Sequence, residues 1–272
     1  MEYTVTPGLQ KGTSGAILKN IAVITMLTDH VGYAIVEPMV GNSPESGIGS
    51  LYVLLRMIGR IAFPIFCFLI GQGAIHTSSK VKYLLRLAVF ALISEIPFNL
   101  VTDNKCFYPY YQNVFFTLCL GLLLIYVYEY LYARHRTDHI SRFAFRFWFI
   151  LAMIFICLAA FFLLCDYGAT GVLLIFILWF FRSRPRHVMI LGFFMLTFVN
   201  AAELGLSELM LGGAFPSVPA YIAHALNESP SVIAFMLISQ YNGLRGKQLH
   251  KYFYYAFYPV HLLILWLISG II

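Results

Sequence analysis

Charged residues are scarce in this chain of 272 residues: they make up 11% of it, against 60% hydrophobic residues. A soluble domain carries roughly 25% charged residues, so the chain lacks the polar surface that water requires on all sides. Long polar stretches are missing as well, since none exceeds about 15 residues, which is too few to build a core. These absences exclude a soluble globular protein and a separate soluble domain.

Paired cysteines and metal-ligand motifs are missing too. The five cysteines show no CxxC spacing and lie mostly inside apolar runs, where a cysteine acts as a small core residue. No two histidines or thiols recur on one predicted helix at ligand spacing. We therefore expect neither a disulfide framework nor a metal site.

The chain has instead a series of apolar runs, most of them near the 20 or so residues that a helix needs to cross a bilayer. The sixth run is short, and the eighth is interrupted by Asn227, Glu228 and Pro230, so a count of eight or ten stays open. The sequence predicts an all-α, polytopic membrane protein with a polar tail over 1–15 and a single integral membrane domain over 16–272. The nine predicted spans lie near 17–38, 51–75, 82–101, 113–133, 145–165, 169–182, 187–204, 218–240 and 252–271.

Basic residues are distributed unevenly between the two ends of these spans. If the N-terminus is cytoplasmic, the inner loops and flanks hold 15 of the 18 lysines and arginines, and the outer side keeps only Lys105. The positive-inside rule demands this asymmetry, so we predict a cytoplasmic N-terminus, and the net charge of +6 needs no nucleic-acid partner. The inner basic residues are Lys11, Lys19, Lys80, Lys82, Arg86, Arg134, Arg136, Arg142, Arg146, Arg182, Arg184, Arg186, Arg245, Lys247 and Lys251, and the outer acidic residues are Glu37, Glu45, Asp103, Asp166, Glu203 and Glu208.

The two remaining basic residues, Arg56 and Arg60, fall inside the second predicted span. A charge at bilayer depth costs at least ~2.5 kcal/mol, so such residues usually face a cavity and mark function. Their i,i+4 spacing places both on one helix face. His30, inside the first span, reaches a similar depth. We expect Asp29 and Glu95 to supply counter-charges around one polar cavity.

Lys19 and His30 are 11 residues apart, close to three helical turns, so they share a helix face and lie about 16 Å apart along the axis. This places the ammonium group at the cytoplasmic mouth and the imidazole deep in the membrane. The layout fits an acyl-CoA molecule, with phosphates at one end and a thioester at the other. Buried Asp, His, Glu and Arg also build proton relays in transporters and channels, so the residues alone favour an enzyme and a transporter equally.

Seven short stretches occur in order along the chain: LKNIA at 18–22, MLTDH at 26–30, RMIGRIAFPIF at 56–66, ISEIPFN at 93–99, QNVFFTL at 112–118, YNG at 241–243 and FYPVHL at 257–262. Together they resemble the TraX family, the conjugative-pilin acetylases, over about residues 16–270. TraX proteins are similar in turn to the acyltransferase-3 proteins and to heparan-α-glucosaminide N-acetyltransferase. Those membrane enzymes use cytoplasmic acetyl-CoA to modify an acceptor on the far side of the bilayer.

The resemblance implies a multi-pass acetyltransferase of the bacterial inner membrane. It would transfer an acetyl group from acetyl-CoA to an extracytoplasmic amine or hydroxyl, on a pilin N-terminus, another peptide or an amino sugar of the envelope. A proton-coupled transporter or channel is the alternative. Lys19 stands where the wider acyltransferase-3 pattern has an arginine, which keeps the charge but loses the bidentate fork for phosphate.

The same resemblance suggests roles for particular side chains. His30 would act as general base or as an acetylated nucleophile, with Asp29 orienting it and an arginine stabilising the oxyanion. The predicted catalytic residues are Asp29, His30, Arg56 and Arg60; the predicted cofactor-binding residues are Lys19, Tyr241, Asn242 and Arg245; the predicted acceptor-binding residues are Glu95, Asn99, Asn113, Tyr258 and His261.

Overall fold

The structure of the protein, a computed structural model, describes residues 12–41, 47–138, 140–214, 216–247 and 249–271. Of residues 185, 186 and 251 it describes no side chain. Most of the predicted polar tail, with Lys11, and also Glu45 lie outside the described residues. Within the described part, the chain is helical, with two isolated β-bridges and no strand.

Each of the nine predicted apolar runs is helical in the structure, although several are divided. The sixth is a single helix of 13 residues, and the eighth breaks after Glu228, before a new helix begins at Ser231. The helices are α1 (Gly15–Val31), a π-helical segment (Gly32–Val36), α2 (Glu37–Val40), α3 (Gly47–Gly59), α4 (Ala62–His76), α5 (Lys80–Asp103), α6 (Val114–Thr137), α7 (Arg142–Phe162), α8 (Gly168–Phe180), α9 (Pro185–Phe194), a second π-helical segment (Met195–Val199), α10 (Asn200–Met210), α11 (Val218–Glu228), α12 (Ser231–Ser239) and α13 (Lys251–Ser269).

Six of these stretches are long and apolar enough to cross a membrane, by length and composition. A seventh apolar helix, α8, is shorter. The six stretches are Gly47–His76, Lys80–Asp103, Val114–Thr137, Arg142–Phe162, His187–Met210 and Tyr252–Ser269. The chain is therefore a helical membrane protein, as the scarcity of charge predicts.

The main core lies between α1, α4, α5, α6, α8, α12 and α13, where Leu18, Ile65, Leu122 and Ile175 are fully buried. Helix α7 lies at the periphery, packed against α6 and α8, and only 11% of its membrane-length window is buried. The functional part of the molecule is thus expected on the α1–α4–α13 side rather than near α7.

A break separates α3 from α4 at residues 60–61. Pro64 has no N–H to give to the carbonyl of Arg60, and its ring would clash with that carbonyl in a continuous helix. The backbone tightens instead, with Arg60 N 3.3 Å from Met57 O and Ile61 N 3.2 Å from Ile58 O. Pro64 itself falls in the first turn of α4, where proline is tolerated. Because of this break, Arg60 does not have to lie on the same helix face as Arg56.

Hydrogen bonds between segments that are distant in the sequence define the two ends of the bundle. At the N-terminal end, residues 12–16 bond to residues 240–246: Thr13 N donates to Gln240 O at 2.9 Å, and Asn242 N donates to Thr13 O at 3.1 Å. At the far end, Trp266 Nε1 donates to Asn104 Oδ1 at 3.0 Å. Helices α1 and α13 therefore both start at the N-terminal end and run towards the far end.

Candidate functional site

A cavity of about 180 Å³ lies between α1, the α3–α4 break, the last turns of α5, the loop 163–167 and α13. All four predicted catalytic side chains line it, together with Tyr258. Among the described residues, no three His, Cys, Asp or Glu side chains converge as metal ligands. The charged or titratable lining residues are Asp29, His30, Tyr33, Arg56, Arg60, Tyr111, Asp166, Tyr167 and Tyr258.

His30 meets a second histidine, His261 of α13. Nδ1 of His30 lies 2.6 Å from Nε2 of His261, and Nδ1 of His261 lies 2.6 Å from the carbonyl oxygen of Phe257. His261 is 5% exposed and lies behind His30 rather than among the cavity-lining residues. The side chain that meets the His30 imidazole is therefore His261, whereas Asp29, the partner that the sequence suggests, pairs with Arg56.

Asp29 pairs instead with Arg56, whose Nη1 lies 2.6 Å from Asp29 Oδ2. The sequence predicts this counter-charge correctly. The two helices approach closely at Gly59, where an added Cβ would lie 2.1 Å from Asp29 Oδ1. The Arg56 guanidinium also lies 5.4 Å from the centre of the Tyr33 ring. A glycine one turn after Arg56 is thus what allows the carboxylate to fit between α1 and α3.

Arg60 has a different set of partners. Its Nε lies 3.2 Å from Glu228 Oε1, and its Nη1 donates to the Tyr167 hydroxyl at 3.3 Å. Glu228 is 1% exposed, and the Tyr167 ring stacks on Phe63 at 3.6 Å. The second counter-charge therefore comes from Glu228, and the expectation that Glu95 supplies it is wrong.

Glu95 bonds to Asn113 across the α5–α6 contact. Asn113 Nδ2 donates to Glu95 Oε2 at 2.5 Å and to Ala91 O at 2.8 Å, and its Oδ1 accepts from Phe115 N at 3.1 Å, capping α6. Asn99 is fully buried on α5. None of the three predicted acceptor residues Glu95, Asn99 and Asn113 is among those lining the cavity; Glu95 and Asn113 join α5 to α6.

Asp166 closes the cavity from the loop after α7. Its Oδ1 accepts a hydrogen bond of 3.0 Å from the Tyr111 hydroxyl. Burial raises the pKa of Asp166 to about 6, although the Tyr111 hydrogen bond opposes the shift. The cavity thus contains a carboxyl group whose pKa lies near 6.

The predicted cofactor residues gather at the N-terminal end. Lys19 Nζ lies 4.6 Å from the centre of the Tyr254 ring, and Arg245 is close enough for its charge to act on Lys19. The Tyr241 ring meets Phe68 edge-on at 5.1 Å. Asn242 shapes the loop, since its Oδ1 accepts from Leu244 N at 3.0 Å.

The backbone N–H groups at the start of α1 are already used. Gly15 N donates to Leu244 O, and Ala16 N donates to Arg245 O, each at 2.9 Å. Ile17 N and Leu18 N bond to Ser14. An anion therefore cannot bind to this helix terminus in the usual way, and side-chain charges must hold it.

An open pocket of about 670 Å³ lies at the far end. Tyr33, Val101 and Thr102 line both this pocket and the buried cavity. Glu37 and Trp266 also line the open pocket. The open pocket and the cavity are therefore adjacent and share these three lining residues. The open pocket lies at the end of the bundle away from Lys19.

Sequence reasoning missed several residues of the site, among them Tyr33, Tyr111, Asp166, Tyr167 and Glu228. One signal for Glu228 is present in the sequence, because a carboxylate inside an apolar run needs a cation and Arg60 needs an anion. No comparable signal marks Asp166 and Tyr167, whose position depends on how the loop after α7 folds onto α4.

Comparison with known proteins supplies the family. The TraX protein family matches residues 14–269. A relative from Dichelobacter nodosus, named "Probable fimbrial assembly protein FimC, serogroup H1", is 26% identical over 91% of this chain and 92% of its own length. "Uncharacterized protein RP591" of Rickettsia prowazekii is 26% identical over 36% of this chain and 37% of its own. No solved structure matches. The chain belongs to the TraX family.

Proposed function

We propose that the chain is an acetyltransferase of the bacterial inner membrane, which moves an acetyl group from cytoplasmic acetyl-CoA to an amine or hydroxyl acceptor on the extracytoplasmic side. The observation that carries the proposal is the position of His30. Its imidazole lines a cavity that Arg56 and Arg60 also line. The basic N-terminal end lies to one side of this cavity, and the open pocket lies to the other.

The proposed topology has nine crossings with the N-terminus in the cytoplasm. The alternation of the helices supports it, because residues 12–16 meet residues 240–246 at one end while Asn104 meets Trp266 at the other. With the exception of Lys105, the lysines and arginines of the loops and helix ends belong to the N-terminal end in this topology, which the positive-inside rule assigns to the cytoplasm. Helix α8 has 13 residues and is about 20 Å long. It is too short to cross the bilayer alone, so neighbouring segments would have to cross the rest.

The residues at the N-terminal end fit the proposed donor. Lys19 and Arg245 would hold its phosphates, and the Tyr254 ring beside Lys19 offers an aromatic surface. Acetyl-CoA supplies the acetyl group and the thiol leaving group. The start of α1 offers no open N–H groups, so side-chain cations such as these two would have to bind the phosphates. His30 lies about 16 Å further along the axis than Lys19.

The cavity suits proton removal followed by stabilisation of a negatively charged oxygen. His30 would take the proton from the acceptor N–H or O–H, as a general base. Arg56 and Arg60 each have several N–H donors, so they can bind a developing oxyanion while also bonding to Asp29 and Glu228. Because each arginine is paired with a carboxylate, neither brings an uncompensated positive charge to the cavity.

The acceptor would enter through the open pocket at the far end. Its lining includes Glu37 and Trp266, and it shares Tyr33 with the cavity. The fimbrial assembly relative supports a pilin subunit as acceptor, with the peptide N-terminus as the acetylated group. An amino sugar of the envelope is the other acceptor to be tested.

The proposal is tested with the purified chain in lipid nanodiscs, labelled acetyl-CoA, and three candidate acceptors. These are a pilin-derived peptide with a free N-terminus, the same peptide blocked at the N-terminus, and glucosamine. We expect label on the free peptide only. His30→Asn should lower kcat by about 10²-fold or more, since general bases contribute that much.

A matched control is His76→Asn, which changes an exposed histidine at the end of α4 and should leave the rate unchanged. Full transfer by His30→Asn would remove His30 from the mechanism. Substrate flux into proteoliposomes in the absence of acetyl-CoA, without acetylated product, would instead favour the transporter.

A further inference from the structure

A carbonyl oxygen fixes one proton of His261. Phe257 O lies 2.6 Å from Nδ1 of His261, and a carbonyl can only accept a hydrogen bond. Nδ1 of His261 therefore carries a hydrogen. A neutral imidazole has one N–H, so Nε2 of neutral His261 is an acceptor with a free lone pair.

The same reasoning then determines the tautomer of His30. Its Nδ1 lies 2.6 Å from Nε2 of His261, and the two ring planes differ by 11°. The ring centres are 4.9 Å apart, so the rings meet edge to edge, the orientation that points an N–H at a ring nitrogen. Nδ1 of His30 must donate, because Nε2 of His261 carries no hydrogen. The lone pair of His30 is left on Nε2.

The reverse arrangement requires a charge. If Nε2 of His261 donated to His30, both nitrogens of His261 would carry hydrogens and the ring would be an imidazolium. That cation would lie in a span, 5% exposed and next to the apolar rings of Phe257 and Tyr258. In the resting protein, a buried charge without an opposite partner is costly. The nearby acids Asp29 and Glu228 are already paired with arginines, and Asp166 accepts a hydrogen bond from Tyr111.

We infer that His261 is a positioning residue: it holds the hydrogen of His30 on Nδ1 and so leaves Nε2 as the reacting atom. A free histidine side chain prefers the opposite tautomer, with the hydrogen on Nε2. The kinetic consequence of this inference rests on the proposed function, whereas the tautomer itself does not.

The pair also shares the proton that the reaction releases. When Nε2 of His30 takes the proton, the N–H or O–H bond of the acceptor breaks and its electron pair forms the bond to the acetyl carbon. The hydrogen on Nδ1 of His30 can then cross the 2.6 Å contact to Nε2 of His261. Phe257 O continues to accept from Nδ1 of His261. The positive charge is thus spread over two rings. The C–S bond of the thioester then breaks, and CoA leaves as the thiolate, which recovers a proton from the histidine pair.

The tautomer is tested by nitrogen NMR on ¹⁵N-histidine-labelled protein in nanodiscs, with no substrate added. Comparison with His30→Asn and His261→Asn assigns the two rings. We expect both His30 and His261 with the hydrogen on Nδ1. In His261→Phe, we expect the hydrogen of His30 to move to Nε2, a change that a merely structural role would not produce. A wild-type His30 with its hydrogen on Nε2 overturns the inference.

Kinetics of two variants give the second readout. His261→Gln places an amide oxygen near the former Nε2 and can still accept from His30, whereas His261→Phe keeps a ring without an acceptor. We expect His261→Phe to lower kcat by about 10²-fold, as loss of an orienting partner does, with the KM for acetyl-CoA unchanged. His261→Gln should recover most of the rate. Equal losses in two variants that both melt like the wild type would overturn the inference.

The two readouts separate this inference from the proposed function. The inferred tautomer without acetyl transfer to any acceptor supports the positioning role and overturns the acetyltransferase. Transfer by a protein whose His30 has its hydrogen on Nε2 supports the acetyltransferase and overturns the positioning role.

Discussion

At the scale of single residues, each arginine of the site is paired with a carboxylate. Asp29 lies 2.6 Å from Arg56, and Arg60 lies 3.2 Å from Glu228. An unpaired buried charge costs several kcal/mol, and removing one member of such a pair strands the other. Single substitutions in these pairs will therefore affect folding as well as chemistry. The histidine pair, which our inference makes neutral in the resting protein, is the safer position for tests of mechanism.

Asp166 predicts a pH dependence of stability. Burial raises its pKa to about 6 from the usual 3.8, so the folded protein binds this proton more tightly than the unfolded chain does. The stabilisation is complete below about pH 4 and is lost as the pH rises through about 6. In Asp166→Asn, which resembles the protonated acid, this loss should be absent. Thermal unfolding in nanodiscs between pH 4 and 7.5 measures the difference.

Glu208→Gln serves as the control for this experiment, because Glu208 is exposed on α10. Its unfolding curve should follow that of the wild type at each pH. If the Asp166→Asn and wild-type melting temperatures change in parallel over the whole range, Asp166 does not titrate as described.

The sequence predicts which residues enter the site better than it predicts their contacts. Asp29, His30, Arg56 and Arg60 could be identified because lipid excludes charge, so charged groups in a span need a shared cavity. The partner of His30 could not be identified, because His261 is 231 positions away along the chain. Its position depends on how α13 packs, and no local pattern encodes that.

At the scale of helices, α8 begins next to the site and is anchored by a carboxylate from α10. Glu203 accepts from Ala169 N at 2.5 Å and from Thr170 N at 2.7 Å. A negative group at a helix start satisfies open N–H groups and opposes the helix dipole. Gly168 is required there, since its φ is +36° and an added Cβ would lie 2.1 Å from Glu203 Oε1. This anchor positions Tyr167, the residue that precedes α8.

Glu203→Gln should weaken this anchor. We expect a loss of about 0.5–2 kcal/mol in stability, the usual cost of removing a good helix cap, with a smaller loss of activity through Tyr167 and Arg60. Thermal unfolding of the variant in nanodiscs measures the loss. Glu208→Gln, five residues further along α10, is the matched control and should melt like the wild type; an equal loss in both variants would contradict the capping role.

The apolar runs predict the positions of the helices closely, but the sequence predicts only some of the helix interruptions. The interruption of the eighth run was predicted from Asn227, Glu228 and Pro230, and α11 ends at Glu228. The break at residues 60–61 was not predicted, although Pro64 marks it. The π-helical segment Gly32–Val36 had no recognised signal, because a π-helical turn differs from an α-helical one only in its hydrogen-bond register.

At the scale of the whole molecule, the proposed topology can be tested with a natural reporter. Cys106 is exposed in the loop between α5 and α6, while the other four cysteines are buried or half-buried. If the N-terminus is cytoplasmic, this loop lies outside. A membrane-impermeant maleimide applied to intact spheroplasts should therefore label the protein, and Cys106→Ser should abolish the labelling.

The opposite side needs a second reporter. Lys247→Cys, placed in the Cys106→Ser background, introduces a thiol in an exposed loop at the N-terminal end. It should be labelled only after the membrane is opened. Labelling of both reporters from the same side would contradict the alternation of the helices, and the reversed pattern would invert the orientation.

The histidine contact joins α1 to α13, the first and the last helix of the described chain. During synthesis, α1 enters the membrane long before α13 has left the ribosome. His30 therefore has no contact with His261 while nearly all of the other helices are being inserted. A truncated or stalled product that lacks α13 would contain His30 but not the pair. The histidine pair can therefore form only when the chain is nearly complete.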